Sequence, residues 1–306
     1  MPRRVAIFTE DPGWHGARIR KALAQRGCEG LYASLTGCRL ALGEDPLPIV
    51  VSGFEDRLPE AVFVRGVPGG SLEEVTFFLD VLHALKLLGI PVYNDAGAIE
   101  RTVDKAMTSF RLHRGGIPTP PTWTVRDRAQ AEAIARAEIA AGHEVVSKPL
   151  FGSQGEGLRR YAAADELGEL SDSNGIFYLQ RFVDSTPDAP HDWRVFVIRN
   201  KAVAAMRRCG VTWLNNIAQG ARCEPARLDD LLLCRLAEDA VRLLDMNYAG
   251  VDIIRDRHGR YSVLEVNSIP AWKGLQTVSD VDIAGLLVDD LLGLCAPMTE
   301  REATAV

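Results

Sequence analysis

The chain has 306 residues, 47% of them hydrophobic and 25% charged, enough apolar mass for one large core or two to three smaller ones. Its 35 Lys and Arg against 41 Asp and Glu leave a formal charge of −6, and no basic stripe offsets it, which speaks against a nucleic-acid partner. The six cysteines (Cys28, Cys38, Cys209, Cys223, Cys234, Cys295) form no C-x-x-C pair and do not cluster with histidines, so zinc and a redox dithiol are not expected; the apolar run Val5 to Phe8 is too short for a signal peptide or membrane span, and a cytoplasmic protein is the expectation.

Arg4 to Thr9 reads as a buried parallel strand, followed by a helix over Ala17 to Arg26 with Ile19, Leu23 and Ala24 on one face and Gly27 after it. Ala61 to Val64 is a second strand, Leu72 to Leu88 a long amphipathic helix stopped by Gly89, and Ile90 to Asn94 a third strand. This βαβ series predicts a small parallel sheet with helices on its faces. Thr102 to His113 reads as another helix, and Gly115 to Pro121 as a connection rich in helix breakers. From Val145 onward strands are expected in neighbouring pairs: 145–150 with 158–161, 177–182 with 194–199, then 201–206, and 251–255 with 261–266 across the turn Asp256 to Gly259. Ala226 to Leu244 is the intervening helix. The fold class is therefore α/β, becoming α+β towards the C-terminus. Three parts are expected: a parallel α/β domain over 1–98, a central lid over 99–180 and a catalytic part over 181–306, with a cleft between them.

Val145-Val146-Ser147-Lys148 carries a lysine straight into the loop Gly152-Ser153-Gln154-Gly155-Glu156-Gly157. Glycines let consecutive N–H groups turn towards an anion, so the loop reads as a phosphate cradle, with an ordinary hairpin turn as the competing reading. It leads into a strand, and no Walker A or G-x-G-x-x-G string occurs, which excludes the common P-loop and dinucleotide sites. Further on, Asp252, Glu265 and Asn267 alternate with apolar residues and can share one face of a hairpin. Two acids and an amide suit Mg2+, which takes few carboxylates plus water and phosphate oxygens; a polar outer face is the alternative. Lys105, Arg194, Arg207 and Arg208 are dispersed cations of the kind that phosphoryl transfer requires.

These motifs in this order resemble the ATP-grasp carboxylate–amine ligases, and among them the ribosomal-protein-S6-modification type of α-L-glutamate ligase. The resemblance runs from Arg4 to Leu292. It is carried by Tyr93-Asn94, Asp104-Lys105, Gly116 to Pro120, the Lys148 loop, Gln180-Arg181-Phe182, Asp192 to Phe196, Ala204 to Arg208, Asn216, Gly250-Val251-Asp252 and Glu265 to Pro270. It implies an ATP-grasp fold behind a pre-ATP-grasp domain, and an amide made from ATP, an acid and an amine. It implies Lys105 and Lys148 on the α- and β-phosphates, with Gly152, Ser153, Gln154, Gly155 and Gly157 in a lid over the β- and γ-phosphates. Gln180, Arg181, Phe182 and Val183 would meet adenine and Asp192 the ribose. Asp252, Glu265 and Asn267 would bind two Mg2+, with Mn2+ as a substitute. Arg208 would stabilise the acyl phosphate, with Arg194 and Asn216 nearby. Where relatives carry a basic residue two positions before Asn216, this chain has Leu214. The segment Asp11 to Arg18 and the strand end Arg65 to Gly70 resemble ligases that add glutamate to tetrahydromethanopterin- or methanofuran-like coenzymes, which makes Trp14, His15 and Arg65 candidate substrate residues, with a core or turn position as the competing reading of Trp14 and His15. The partners implied are a small-molecule acid and an amino acid, glutamate preferred, with no membrane, and a homo-oligomer is open. The rival readings are a ligase of another amino acid or of a peptide, and a nucleotide-binding regulator without turnover.

Overall fold

The computed structural model describes residues 2–43, 47–152, 156–185, 190–210, 212–213 and 220–295. The first unit is β1 (Arg3–Phe8), α1 (Gly13–Gln25), β2 (Cys28–Ala33), the short pair β3 (Arg39–Leu40) and β4 (Ile49–Val50), β5 (Ala61–Val64), α2 (Leu72–Leu87) and β6 (Val92–Tyr93). Its main sheet is parallel, in the order β2-β1-β5-β6. The expected parallel sheet is present, with β2 as a strand that the periodicity did not reveal: Cys28-Glu29-Gly30-Leu31 mixes polar and small residues at a sheet edge. In β1, Val5 and Ile7 face one core while Ala6 and Phe8 face another, so both faces are covered and the strand reads as continuously apolar.

Then come α3 (Ala96–Val103), α4 (Lys105–Arg114), β7 (Thr122–Val125), α5 (Arg128–Ala140), β8 (Val145–Lys148), β9 (Arg159–Tyr161) and β10 (Phe177–Arg181). The helix expected over 102–113 is two helices. Asp104 breaks the run, because its carboxylate accepts from the N–H groups of Ala106 (2.9 Å) and Met107 (3.1 Å) and so starts α4 at Lys105. The antiparallel sheet here runs β7-β10-β8-β9. β8 pairs with β9 as expected, but β10 does not pair with the strand that follows it. β7 and β8 occupy both of its edges.

The last part holds β11 (His191–Ile198), β12 (Lys201–Cys209), β13 (Arg222–Ala226), α6 (Leu231–Leu243), β14 (Tyr248–Arg255), β15 (Tyr261–Asn267), the single turn α7 (Lys273–Gln276) and α8 (Ile283–Leu294). Its sheet is antiparallel, ordered β13-β12-β11-β14-β15. The helix expected from Ala226 begins five positions on from β13, where Asp230 caps the N–H groups of Leu232 (3.1 Å) and Leu233 (3.0 Å). Val195, Val197, Val251 and Ile253 turn one sheet face towards α6. Phe196 and Tyr248 turn the other towards α8 and the parallel sheet.

One core therefore crosses residue 98, where sequence reading expects a boundary. α8 returns from the carboxy-terminal side to pack Leu287 and Leu291 with Ile7 and Phe63. The junction is also polar. Asn94, fully buried, donates to the carbonyls of Tyr248 (2.7 Å) and Ser268 (2.8 Å) and accepts from the N–H of Asn247 (2.9 Å). Beside it Tyr93 stacks on Tyr248 at 4.8 Å and donates to Asp290 (2.7 Å). Among the described residues no helix is long and apolar enough to cross a membrane. Asn94→Ala removes the partner of backbone groups of Asn247, Tyr248 and Ser268, most of them buried, so a loss of about 3 kcal/mol in urea unfolding is expected. A loss below about 1 kcal/mol would mean that the clasp is dispensable.

Candidate active site

The cross-strand register sets a row of charges across one face of the five-stranded sheet. Arg208 on β12 lies opposite Asp192 on β11, Arg194 on β11 opposite Asp252 on β14, and Asp252 opposite Glu265 on β15. Because residues two apart share a face, Arg208, Asp192, Arg194, Asp252 and Glu265 all project the same way. Arg208 donates from Nε and Nη2 to the two oxygens of Asp192, at 2.6 and 2.9 Å. Its Nη2 also lies 3.0 Å from Asp252, whose oxygens accept from Nε and Nη2 of Arg194. Gly250 permits this arrangement, since a Cβ there would come within 3.0 Å of the Arg194 Cδ.

Asp192, Arg208 and Asp252 are each less than 8% exposed. Burial alone would be costly for any of them, but two guanidiniums and two carboxylates make a neutral group. Desolvation pushes Asp192 above the ordinary carboxylate range, with Arg208 offsetting only part of it. Desolvation also acts on Asp252, yet Arg194 and Arg208 together outweigh it and hold this carboxyl low.

This row floors a cavity of about 740 Å³ walled by β8, the end of β10, the loop after β15 and the end of β5. Lys105 and Lys148 enter it from α4 and β8. The Lys105 ammonium donates to the Gly152 carbonyl (2.8 Å) and lies 3.8 Å from Glu265. Lys148 donates to the Gln180 side-chain carbonyl (2.7 Å). Its burial, offset only in part by Glu265, lowers its pKa to about 8. Gln180, Arg181, Phe182 and Val183 line the same cavity, with Arg181 held by Glu138 (2.7 and 3.1 Å) and Phe182 edge-on to Trp213 at 6.0 Å.

Most of the candidate residues that sequence reading named thus converge: Lys105, Lys148, Gly152, Gln180, Arg181, Phe182, Val183, Asp192, Arg194, Arg208, Asp252, Glu265, Asn267, His15 and Arg65 line one space. Two others do not. Gly157 adopts φ +70° with its missing Cβ aimed 2.7 Å from the Pro149 ring, so it shapes the loop while Glu156 and Leu158 face the cavity. Trp14 lies behind the cavity, edge-on to His15 (5.1 Å) and Trp272 (6.3 Å). Ser153, Gln154, Gly155 and Asn216 fall outside the described residues. Asp192, expected at a ribose, has both oxygens on Arg208.

Trp213, Leu264 and Lys273 line the cavity although no sequence motif singled them out. Leu264 reaches it through a β-bulge: Asp252 pairs with Glu265 and Ile253 with Val263, so Leu264 is the extra residue. Alternation by two would have turned it away, and nothing in the sequence marks the bulge.

A RimK-like ATP-grasp domain matches residues 102–291. The chain belongs to the RimK-like ATP-grasp family. Among relatives of this ATP-dependent ligase, the tetrahydromethanopterin:alpha-L-glutamate ligase of Methanococcus maripaludis is 36% identical over 243 residues, covering 76% of this chain and 79% of the relative. The enzyme of the same name from Methanocaldococcus jannaschii is 36% identical over 247 residues, covering 78% and 81%. The fold is that of the ATP-grasp ligase PsnB, solved with a minimal precursor, Mg and ADP: TM-score 0.74, 24% identity, 96% of this chain and 97% of that one. ATP-grasp enzymes use ATP and Mg2+.

The charge row makes a prediction of its own. Asp192→Ala leaves Arg208 with half of its buried counter-charge and is expected to cost about 3 kcal/mol in denaturant unfolding. The double variant Asp192→Leu/Arg208→Met, which retains the neutral Arg194–Asp252 pair, is expected to regain most of that loss. Additive losses in the double variant would show that the two side chains are not coupled.

Proposed function

We propose that this ligase joins L-glutamate to a carboxylate of a small acid, of the one-carbon coenzyme type represented by tetrahydromethanopterin, through an acyl phosphate. The observation that carries the reading is the single cavity into which α4, β8, β11, β12, β14 and β15 all deliver charged side chains. Support for glutamate and for the coenzyme class comes from the two tetrahydromethanopterin:alpha-L-glutamate ligases named above and from the resemblance of the segments around His15 and Arg65.

In this reading Lys105 and Lys148 hold phosphate oxygens and the apolar wall of Val183, Trp213, Ile254 and Leu264 takes the adenine. Asp192 orients Arg208 through its two-pronged bond and leaves the ribose to other groups. Asp252, Glu265 and Asn267 would hold two Mg2+. Two carboxylates and an amide are an oxygen-only donor set, which suits an ion that completes its shell with water and phosphate oxygens. When bound, Mg2+ neutralises phosphate charge. Arg208 and Arg194 span the oxygens that gain charge as the acid attacks the γ-phosphoryl group and as the amine then adds to the acyl carbon. The amide leaves with ADP and phosphate as the other products.

The decisive experiment uses acceptor labelled with ¹⁸O in its carboxylate. One label per amide is expected in the phosphate, with ADP as the nucleotide product. AMP and pyrophosphate, or unlabelled phosphate, would sink the mechanism. Arg208→Ala is expected to slow amide formation by about 10²–10³-fold with ATP affinity nearly unchanged.

Lys148 gives a pH test. Its folded-state pKa of about 8 lies below the ordinary 10.5, so its charge costs the fold stability below pH 8, and that cost fades as pH rises towards 10.5. Phosphate binding needs the charged form, so ATP affinity is expected to fall above pH 8. Calorimetry from pH 7 to 9.5 should show this decline in the native protein and its absence in Lys148→Arg; an equal decline in both would assign it elsewhere.

A further inference from the structure

One stretch of the cavity wall lies outside the charge row and the lysine pair. Arg65 extends β5 by one residue, its N–H donating to the Phe8 carbonyl (2.8 Å). Its guanidinium stacks over the Trp272 ring at 4.8 Å and donates to the Pro270 carbonyl (3.2 Å). These contacts are neutral. Among the described residues no carboxylate lies within 4.0 Å of Arg65 or of Lys273, although both side chains border a space where every other arginine is ion-paired. Burial lowers the proton affinity of Arg65, and the Tyr248 hydroxyl beside it, neutral at physiological pH, offsets only part of that cost.

His15 ties this group together. Its Nε2 accepts from the backbone N–H groups of Trp272 (3.0 Å) and Lys273 (3.2 Å), which makes Nδ1 the protonated nitrogen. Burial first, and then the Arg65 and Lys273 charges, hold its pKa at about 4, so the imidazole is neutral at physiological pH and supplies no third charge. Two cations with neutral supports, in a cavity whose floor is already balanced, leave a local excess of positive charge for an anion to fill.

We infer that Arg65 and Lys273 form a carboxylate subsite, which holds a carboxylate of the substrate that does not react. This rests on the reading of the chain as a ligase of an acid and an amino acid, and it narrows the substrate class to one that presents a second carboxylate. A planar guanidinium suits the two carboxylate oxygens, and the ammonium adds a point charge beside them. Either substrate could bring the group: glutamate as amine donor carries two carboxylates, and a polyacid acceptor carries a spare one.

Glutarate serves as the probe, titrated by calorimetry into protein saturated with ADP and Mg2+, with the uncharged diamide of glutarate as control. Glutarate is expected to bind and the diamide to bind far more weakly. Arg65→Gln and Lys273→Gln should each weaken glutarate by about 10- to 100-fold with ADP affinity held, while Lys273→Arg should stay close to the native value. Equal glutarate affinity in native protein and both glutamine variants, or no glutarate binding to the native protein, overturns the subsite. Turnover then separates the sources. A KM in Lys273→Gln that rises for L-glutamate alone places the donor there, and one that rises for the acceptor alone places the acceptor. A failure of the ligase reading is seen separately, as no ADP-forming amide synthesis, and leaves the glutarate result standing on its own.

Discussion

The interaction on which the rest depends is the neutral quartet of Arg194, Asp252, Arg208 and Asp192, set by the register of three adjacent strands. Remove the alternation of sign and four charges would sit on a sheet face that is almost closed to water. With it, each guanidinium is oriented by a carboxylate and the group as a whole is neutral. The same register brings Glu265 to the edge of the row, opposite Asp252.

That row needs a wall facing it, which the junction with the parallel sheet provides. Asn94 uses its amide to satisfy backbone groups of β14 and of the segment after β15, and α8 packs against the strands that begin the chain. Arg65 and His15, from the amino-terminal unit, are thereby held against Trp272 and Lys273. The cavity is a product of this shared core, with one wall from each side of the junction.

The two walls differ in electrostatic state. Across the quartet charge is balanced, so under the proposed function a metal ion and phosphates would have to take over contacts that the arginines and carboxylates make with one another. At Arg65 and Lys273 charge is unbalanced, and an anion is gained without breaking an ion pair among the described residues. Balanced charge preserves the fold on the sheet face, and the unbalanced charge of Arg65 and Lys273 lies on the facing wall of the cavity.

By itself the sequence determined the parallel unit apart from β2, and the β8–β9 and β14–β15 hairpins, because apolar periodicity and turn residues are local properties. Only the tertiary structure decided which edges pair. β10 joins β7 and β8 and not β11, since a strand edge is claimed by whichever partner the whole sheet presents. It also decided that Asp192 grips Arg208, that the bulge at Leu264 turns an apolar side chain inward, that Trp14 lies behind His15, and that Lys273 joins Arg65. Each of these depends on residues far apart in the chain, Arg65 and Lys273 most of all, and no local pattern encodes the distance between them.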